Sequence, residues 1–448
     1  MEKVVIIGGG LAVSEAAWQV AKRGVNVDLY EMRPVKKTGA HITANLAELV
    51  CSNSLGSNLP DRPSGILLFE LDKLDSLLIN CAKKVMVPAG HAFAVDRIKF
   101  SELITKEILE HPRIRLIREE IKGLPDGLCI IASGPLTSPK LARSLEKFTG
   151  TENLFFYDAI SPTVEVDSID FETAFWGSRY GKGVIESGDY INCPFNENHY
   201  DKFVNELVDA ERYSLKDFET DINSGVVAGK NKFFEGCLPI EVMAQRGHHT
   251  LAYGPMRPVG LTNPYTGKRP YAVVQLRRED IEGRYFNLVG FQTNLIQKEQ
   301  ERVFCMIPGL EKAVFTRYGQ MHRNTFIYSP DILKPTLQSI QKNNLFFAGQ
   351  ITGVEGYLAC IATGLLAGIN AALLSENSRP ICFPDESMIG ALCKCITDSS
   401  KNPFQPVKES FGILPSIEQK IQGKRNRHKM MAERAHCVFE KFIEKNFI

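Results

Sequence analysis

The sequence predicts an α/β protein in which both ends of the chain build one layer around a parallel sheet, interrupted by an inserted α+β domain. Three observations carry that prediction. The first 33 residues read as strand, glycine turn, helix, strand and acidic tip. Between about 155 and 320 helical periodicity gives way to short strands, aromatics and Pro/Gly turns. Residues 345 to 375 then return to strand, turn and helix.

Val4-Val5-Ile6-Ile7 is a short buried strand, and Gly8-Gly9-Gly10 a tight turn. Leu11 to Arg23 has helical apolar spacing at Leu11, Ala12, Ala16, Val20 and Ala21; Gly24 stops the helix. Val25 to Tyr30 forms the second strand and ends at Glu31. A glycine turn feeding a helix presents open backbone N–H groups and the positive end of the helix dipole, which suit a pyrophosphate. An acidic residue about 20 positions on suits a ribose hydroxyl. Gly8, Gly9, Gly10, Leu11, Ala12, Val13 and Glu31 are therefore the candidate dinucleotide site. Val13 stands where the G-x-G-x-x-G pattern has its third glycine, which normally lets helix and strand pack closely. Replacing Val13 by glycine is expected to ease that packing and tighten the cofactor.

Residues 36 to 64 are polar and turn-rich. Ile66 to Lys84 reads as one helix and Phe100 to His111 as another, with a Pro-Ala-Gly turn at 88–90 between them. Ile114 to Ile117 and Cys129 to Ala132 read as strands, the second ending in Ser133-Gly134-Pro135. Leu345 to Ala348 is a strand, Gly349-Gln350 a turn, Gly364 to Leu374 a small-residue helix, and Lys420 to Ile448 a basic amphipathic helix. The expected divisions are 1–155 for the first part of the cofactor domain, 156–320 for the inserted substrate domain, and 321–448 for the second part with its basic helix.

The 448 residues carry a formal charge of +1, so no global field draws the chain to nucleic acid or membrane; any RNA-binding surface must be a local patch. No apolar run is read as long enough to cross a bilayer, and the N-terminal strand does not read as a signal peptide. Eleven cysteines without a secretion signal point to free thiols in the cytoplasm. No metal site is expected: Cys393 and Cys395 form a C-x-C pair without a partner pair, and His436-Cys437 is isolated. There is no C-x-x-C redox pair and no second glycine fingerprint, so a nicotinamide cofactor is expected to visit only transiently.

Longer stretches carry a resemblance. They include Gly10-Leu11-Ala12, Tyr30 to Pro34, Ala47 to Leu55 (AELVCSNSL), Phe233 to Ala244 (FFEGCLPIEVMA), Gly254 to Gly260, Thr266 to Leu276 (TGKRPYAVVQL), Met321 to Phe326 (MHRNTF) and Phe347 to Tyr357 (FAGQITGVEGY). Over nearly its whole length the chain resembles the folate- and FAD-dependent tRNA (uracil-5-)-methyltransferase family. The resemblance implies an FAD-binding Rossmann-like fold of the glutathione-reductase type. It also implies methylation of uridine C5 in the tRNA T loop, with methylenetetrahydrofolate as carbon donor, FAD as carrier and NAD(P)H as reductant. C5 of uracil is a poor nucleophile until a thiolate adds at C6, so the chemistry needs a cysteine of lowered pKa and a group that later takes the C5 proton.

The resemblance assigns Cys237 as the nucleophile and Cys51 as the base near the flavin. Gly349 and Gln350 match the second flavin-contacting turn. His322, Arg323 and Asn324 are candidates for holding folate, and Tyr357 for stacking a pterin or uracil ring. Lys268-Arg269, Arg277-Arg278 and the Lys424 to Lys429 cluster are candidate RNA patches, since a base stacked in a loop must be reached through phosphate anchors. The match departs at Val13, at Gly56, where a basic residue is common, and at Leu358-Ala359-Cys360, where the family has Val-Glu-Ser. These departures leave open a sister enzyme acting on ribosomal RNA, or an RNA-binding flavoprotein that has lost methyl transfer.

Overall fold

The computed structural model describes residues 3–150, 154–213, 238–400, 404–418 and 421–447. A five-stranded parallel sheet lies in the order Leu345–Phe347, Cys129–Ile131, Val4–Ile7, Val27–Tyr30, Ile114–Ile117. The register aligns Leu29, Ile6, Ile130 and Phe346 across one face, where they join the largest hydrophobic core. Ile7, Ile131 and Phe347 alternate onto the other face, against Leu141 and Leu145. Apolar residues on both faces explain why these strands read as continuous hydrophobic runs. In sequence terms the order is fifth, fourth, first, second, third. The order in which strands are added thus reverses between Val4–Ile7 and Cys129–Ile131, and the carboxyl ends there form the crevice where such sheets take ligands.

The first helix, Leu11–Lys22, and the apolar helix Tyr357–Ser375 pack in backbone contact. A Cβ on Gly364 would stand 2.3 Å from the Ala12 carbonyl oxygen, and one on Gly368 would stand 2.6 Å from that of Ala16. The second helix begins at Tyr357, seven positions before the expected Gly364; its small residues mark its contact with the first helix rather than its start. By length and composition it could cross a membrane, contrary to the sequence reading, but most of it is buried in the core. The single helix expected over Ile66 to Lys84 is two, Pro63–Lys73 and Leu77–Lys84. Asp75 breaks it with φ of 53°, and Ser76 caps the second helix while donating a hydrogen bond to buried Glu15 at 2.6 Å.

The inserted region holds a six-stranded sheet in the order Phe175–Gly177, Tyr190–Phe195, Ala272–Arg278, Tyr285–Leu288, Thr163–Glu165, Phe315–Arg317, with its own core around Tyr200, Phe203, Phe286 and Phe304. Leu154–Ala159 and Met321–Phe326, which enter and leave it, pair antiparallel. The two cores meet across Arg97 and Glu279, a buried ion pair at 2.8 Å.

Candidate active site

The crevice opens into a cleft lined by the glycine turn, Glu31, Arg33, Gly349, Gln350 and Tyr357. Its floor is the glycine turn. Gly8 has φ of +125°, and a Cβ there would meet the Ala132 carbonyl oxygen at 2.6 Å. A Cβ on Gly9 would meet the Glu31 carboxylate at 2.0 Å, so only glycine lets this carboxylate lie under the turn. Gly10 caps the first helix without a side-chain hydrogen bond, which leaves the first-turn amides of Leu11 and Ala12 facing the cleft. Gly349, with φ of +74°, closes in from the opposite side, where a Cβ would stand 2.8 Å from Cβ of Ala12. Its N–H donates to the Thr363 hydroxyl at 2.9 Å. Gln350 lines the cleft, and its amide donates to Glu355 at 2.7 Å.

Glu31 is held by an arginine that sequence reasoning gave no role. The backbone N–H and Nε of Arg33 donate to Glu31 Oε1 at 2.8 and 2.9 Å. Nη1 of Arg33 reaches Glu48 at 3.2 Å, and Glu48 also accepts from Ile42, Thr43 and the Thr43 hydroxyl. All three charged groups are buried and line the cleft. The Arg33 guanidinium between two carboxylates fixes Glu31 in place, where its carboxylate oxygens can accept from the hydroxyl donors of a ribose. Its legible signal is the adjacency Glu31-Met32-Arg33.

Cys51 sits on a loop clamped from several directions. The backbone N–H groups of Cys51 and Ser52 donate to the Tyr357 hydroxyl at 2.9 and 3.2 Å. Arg97 donates to the carbonyls of Leu49 and Cys51, and Arg317 to that of Val50. Arg277 donates to the Ser52 hydroxyl at 2.6 Å and to the Asn53 side chain at 2.8 Å. Arg97 is neutralised by Glu279. Among the described residues, Arg277 and Arg317 have no carboxylate partner. Burial, with Arg97 close by, pushes the Arg317 guanidinium down to about 10. The Cys51 sulfur lies 3.9 Å from the Ala159 carbonyl oxygen, and both Arg97 and Arg317 feel its charge when it ionises. Arg317 also lines a second cavity, bounded by Gly39, Ala40 and Ile42 on one side and by Asn294, Gln297 and Gln320 on the other.

The structure brings together Gly9, Gly10, Leu11, Ala12, Glu31, Gly349, Gln350 and Tyr357 as cleft lining, with Cys51 beside them. Gly8 lies behind the turn. Val13 is not part of the lining: it is fully buried, with Cγ2 2.9 Å from where a Gly8 Cβ would be. The valine fills the space that Gly8 leaves empty, which removes the premise that a glycine here would ease the packing. Tyr357 presents its hydroxyl to the Cys51 loop, a use for that group that the stacking expectation did not include. Lys268 and Arg269 lie on an exposed turn of the inserted domain, where Asn263 donates to the Lys268 carbonyl at 2.9 Å. His322 and Arg323 occupy the strand opposite Asp158 and Tyr157. Asn324 is 1% exposed, and neither polar atom of its side chain has a hydrogen-bond partner. A Cβ on Gly56 would stand 2.8 Å from Cβ of Ser64, and the φ of Gly56 is +130°, a position that disfavours a long basic residue. Cys237 lies outside the described residues.

The profile of the family described as glucose inhibited division protein A matches residues 3–379. A methylenetetrahydrofolate–tRNA-(uracil-5-)-methyltransferase TrmFO of Listeria innocua is 52% identical over 446 residues, covering 99% of this chain and 100% of that protein. The protein of the same name from Aquifex aeolicus is 53% identical over 446 residues, covering 99% and 97%. Among solved structures, Aquifex aeolicus GidA superimposes with a TM-score of 0.68 at 16% identity, over 98% of this chain and 73% of that one, which shows a shared fold. The chain belongs to the glucose inhibited division protein A family, and within it groups with the methylenetetrahydrofolate–tRNA-(uracil-5-)-methyltransferases.

Proposed function

We propose that this protein methylates C5 of a uridine in the T loop of tRNA, with methylenetetrahydrofolate as carbon donor, FAD as carrier and NAD(P)H as reductant, in the cytoplasm. The observation that carries the reading is the Cys51 loop, pinned by Tyr357 and three arginines to the rim of a dinucleotide cleft, in a chain about half identical to proteins named for this reaction. The cleft fits FAD: three glycine positions leave no room for a Cβ, and a helix start and an acidic cluster stand where pyrophosphate and ribose are expected. When bound, FAD supplies a redox-active ring able to carry a one-carbon unit.

The chain's own residues divide the remaining work. Gly9, Gly10 and the amides of Leu11 and Ala12 would hold the pyrophosphate, with Gly8 shaping the turn behind them, Glu31 would hold the ribose, and Gly349 and Gln350 would line the opposite side of the cofactor site. Cys237 adds to uracil C6, which makes C5 nucleophilic, and Cys51 takes the C5 proton. Arg97 and Arg317 hold the carbonyls of Cys51 and Val50, and Tyr357 accepts from the Cys51 backbone N–H, so the three together fix the loop for that task. His322, Arg323 and Asn324 remain the folate candidates, and Asn324 is buried with both amide atoms unpartnered among the described residues. Lys268 and Arg269 offer phosphate contacts.

The test is nucleoside mass spectrometry of unmodified tRNA and ribosomal RNA, each incubated with protein, methylenetetrahydrofolate, FAD and reduced nicotinamide cofactor. New 5-methyluridine in tRNA supports the proposal. The modification in ribosomal RNA alone moves the activity to the sister enzyme. None in either RNA, with flavin bound and reducible, sinks methyl transfer.

A further inference from the structure

The exposed cations of this nearly neutral chain are unevenly placed. The C-terminal helix Lys424–Asn446 packs on Pro63–Lys73 through Met431, Ala432, Ala435 and Phe439, and its first turns stand clear of that contact. Lys424, Arg425, Arg427 and Lys429 are exposed there, with no acidic residue in the first turn. Fold stability alone favours carboxylates at that end of a helix. Arg62, from the loop before Pro63–Lys73, joins them. Burial, and then the charges of Lys424, Arg427 and Arg62, push the His428 imidazole down, so cations from two separate segments converge on one ring. Carboxylates scarcely answer them: Arg62 has Asp61 at 3.9 Å and Lys429 has Glu433 at 3.7 Å. Among the described residues, Lys424, Arg425 and Arg427 have no ion-pair partner within 4 Å.

The patch is tied to the cleft by a short path. The His428 ring stacks on Phe411 at 4.0 Å. Phe411 is three residues from Lys408, a span of at most about 11 Å. Lys408 is exposed, and its Cε lies 3.8 Å from where a Cβ of Gly356 would be, next to the buried Glu409 carboxylate at 3.4 Å from the same point, at the start of the helix whose first residue, Tyr357, holds Cys51. Lys408 thus stands between the patch and the site.

We infer that Arg62, Lys408, Lys424, Arg425, Arg427 and Lys429 form a docking surface for the phosphate backbone of the RNA substrate, beside the entrance to the Cys51 site. The inference rests on the proposed function for the identity of the polyanion. The chemistry of the surface favours phosphates over other partners. It is cationic on two elements, and its one large exposed apolar side chain is Met430. A membrane-surface helix needs an apolar face to insert, and a protein interface needs aromatic anchors at its centre. A phosphate backbone needs only spaced cations.

The experiment uses the full-length, FAD-loaded protein and an unmodified tRNA transcript. Dissociation constants are measured from 50 to 200 mM salt, and methylation kinetics at one salt. The variant is Lys424→Glu/Arg427→Glu. A control, Lys140→Glu/Lys147→Glu, makes the same charge change on the exposed side of Pro139–Thr149. FAD content per chain reports folding for both. Each lost phosphate contact removes about 0.9 from the slope of log affinity against log salt, so the variant should lose about 1.8. It should also weaken tRNA binding by at least about tenfold at the lower salt, with KM for tRNA rising in step, while the control keeps the wild-type slope. A variant with the wild-type slope and KM, or one that falls only as far as the control, overturns the surface while leaving the methyltransferase reading intact. A wild-type protein that neither binds nor methylates RNA overturns both.

Discussion

The hydroxyl oxygen of Tyr357 lies 2.9 Å from the backbone nitrogen of Cys51 and 3.2 Å from that of Ser52, from the far end of the chain. Burial raises the phenol pKa, so the group stays neutral and accepts both N–H groups while keeping its own proton. Tyr357→Phe keeps the ring and removes the acceptor, leaving two backbone donors without a partner, at a local cost of about 1–3 kcal/mol. The Cys51 loop should loosen, and kcat for methylation should fall by about tenfold or more with FAD content retained, because about 1.4 kcal/mol of lost positioning is a factor of ten. Retained kcat in a correctly loaded variant would show that the hydroxyl does not govern Cys51.

Arg317 tests the electrostatic half of the same loop. Its guanidinium donates to Val50 and, among the described residues, has no ion-pair partner within 4 Å, though the charge of Glu279 reaches it. Arg317→Gln keeps a donor for that carbonyl and deletes the charge. The Cys51 thiol should then ionise at higher pH. The rate of Cys51 alkylation by iodoacetamide, followed by peptide mass spectrometry across pH 5 to 9, should move to higher pH. An unmoved profile would leave Arg317 a purely structural role.

Cys237→Ala should abolish 5-methyluridine formation while FAD remains bound, because no other residue is assigned to attack uracil C6. Turnover by the variant, measured by nucleoside mass spectrometry, would remove Cys237 from the reaction.

Val13→Gly should destabilise the protein rather than tighten its cofactor. The side chain is fully buried against Gly8 and in the main core. Its loss leaves a cavity and puts glycine inside a helix, together about 2–4 kcal/mol. A lower midpoint in thermal or urea unfolding checks the first effect, and an FAD dissociation constant no tighter than wild type checks the second.

Val13 also marks what a sequence can and cannot display. The βαβ start was legible because Val4–Ile7, the glycine triplet and Glu31 are local patterns with one physical reading each. The compensation at Val13 was not, because it depends on empty space above Gly8 that exists only once helix and strand are packed. Gly364 and Gly368 show the same limit: as letters they resemble a weak helix start, and in the fold they admit the first helix to backbone contact. At the site, Cys51 stood out through family resemblance. The Arg97, Arg277 and Arg317 clamp did not, because its members converge from three separate segments. Arg33 was visible beside Glu31, but its second partner, Glu48, is brought in by a loop that periodicity does not describe.

Glu70 supplies a pH dependence distant from the chemistry. It is fully buried and accepts hydrogen bonds from the backbone N–H groups of Met388 and Ile389 at 2.6 and 2.8 Å, capping the helix Met388–Ile396. Burial pushes its carboxyl up to about 8, against an ordinary value of 4.5, and the two N–H groups offset only part of that rise. Between those values the folded chain holds a proton that the unfolded chain has released. The Glu70 contribution to stability is therefore complete below pH 4.5 and lost as pH rises through about 8, at no more than about 1.4 kcal/mol per pH unit. Glu70→Gln keeps one acceptor and cannot ionise, so its unfolding free energy should decline less steeply than that of wild type between pH 5 and 8. Urea unfolding at several pH values across that range reads the two slopes directly. Parallel slopes would mean that Glu70 is ionised in the folded protein, held so by the helix it caps.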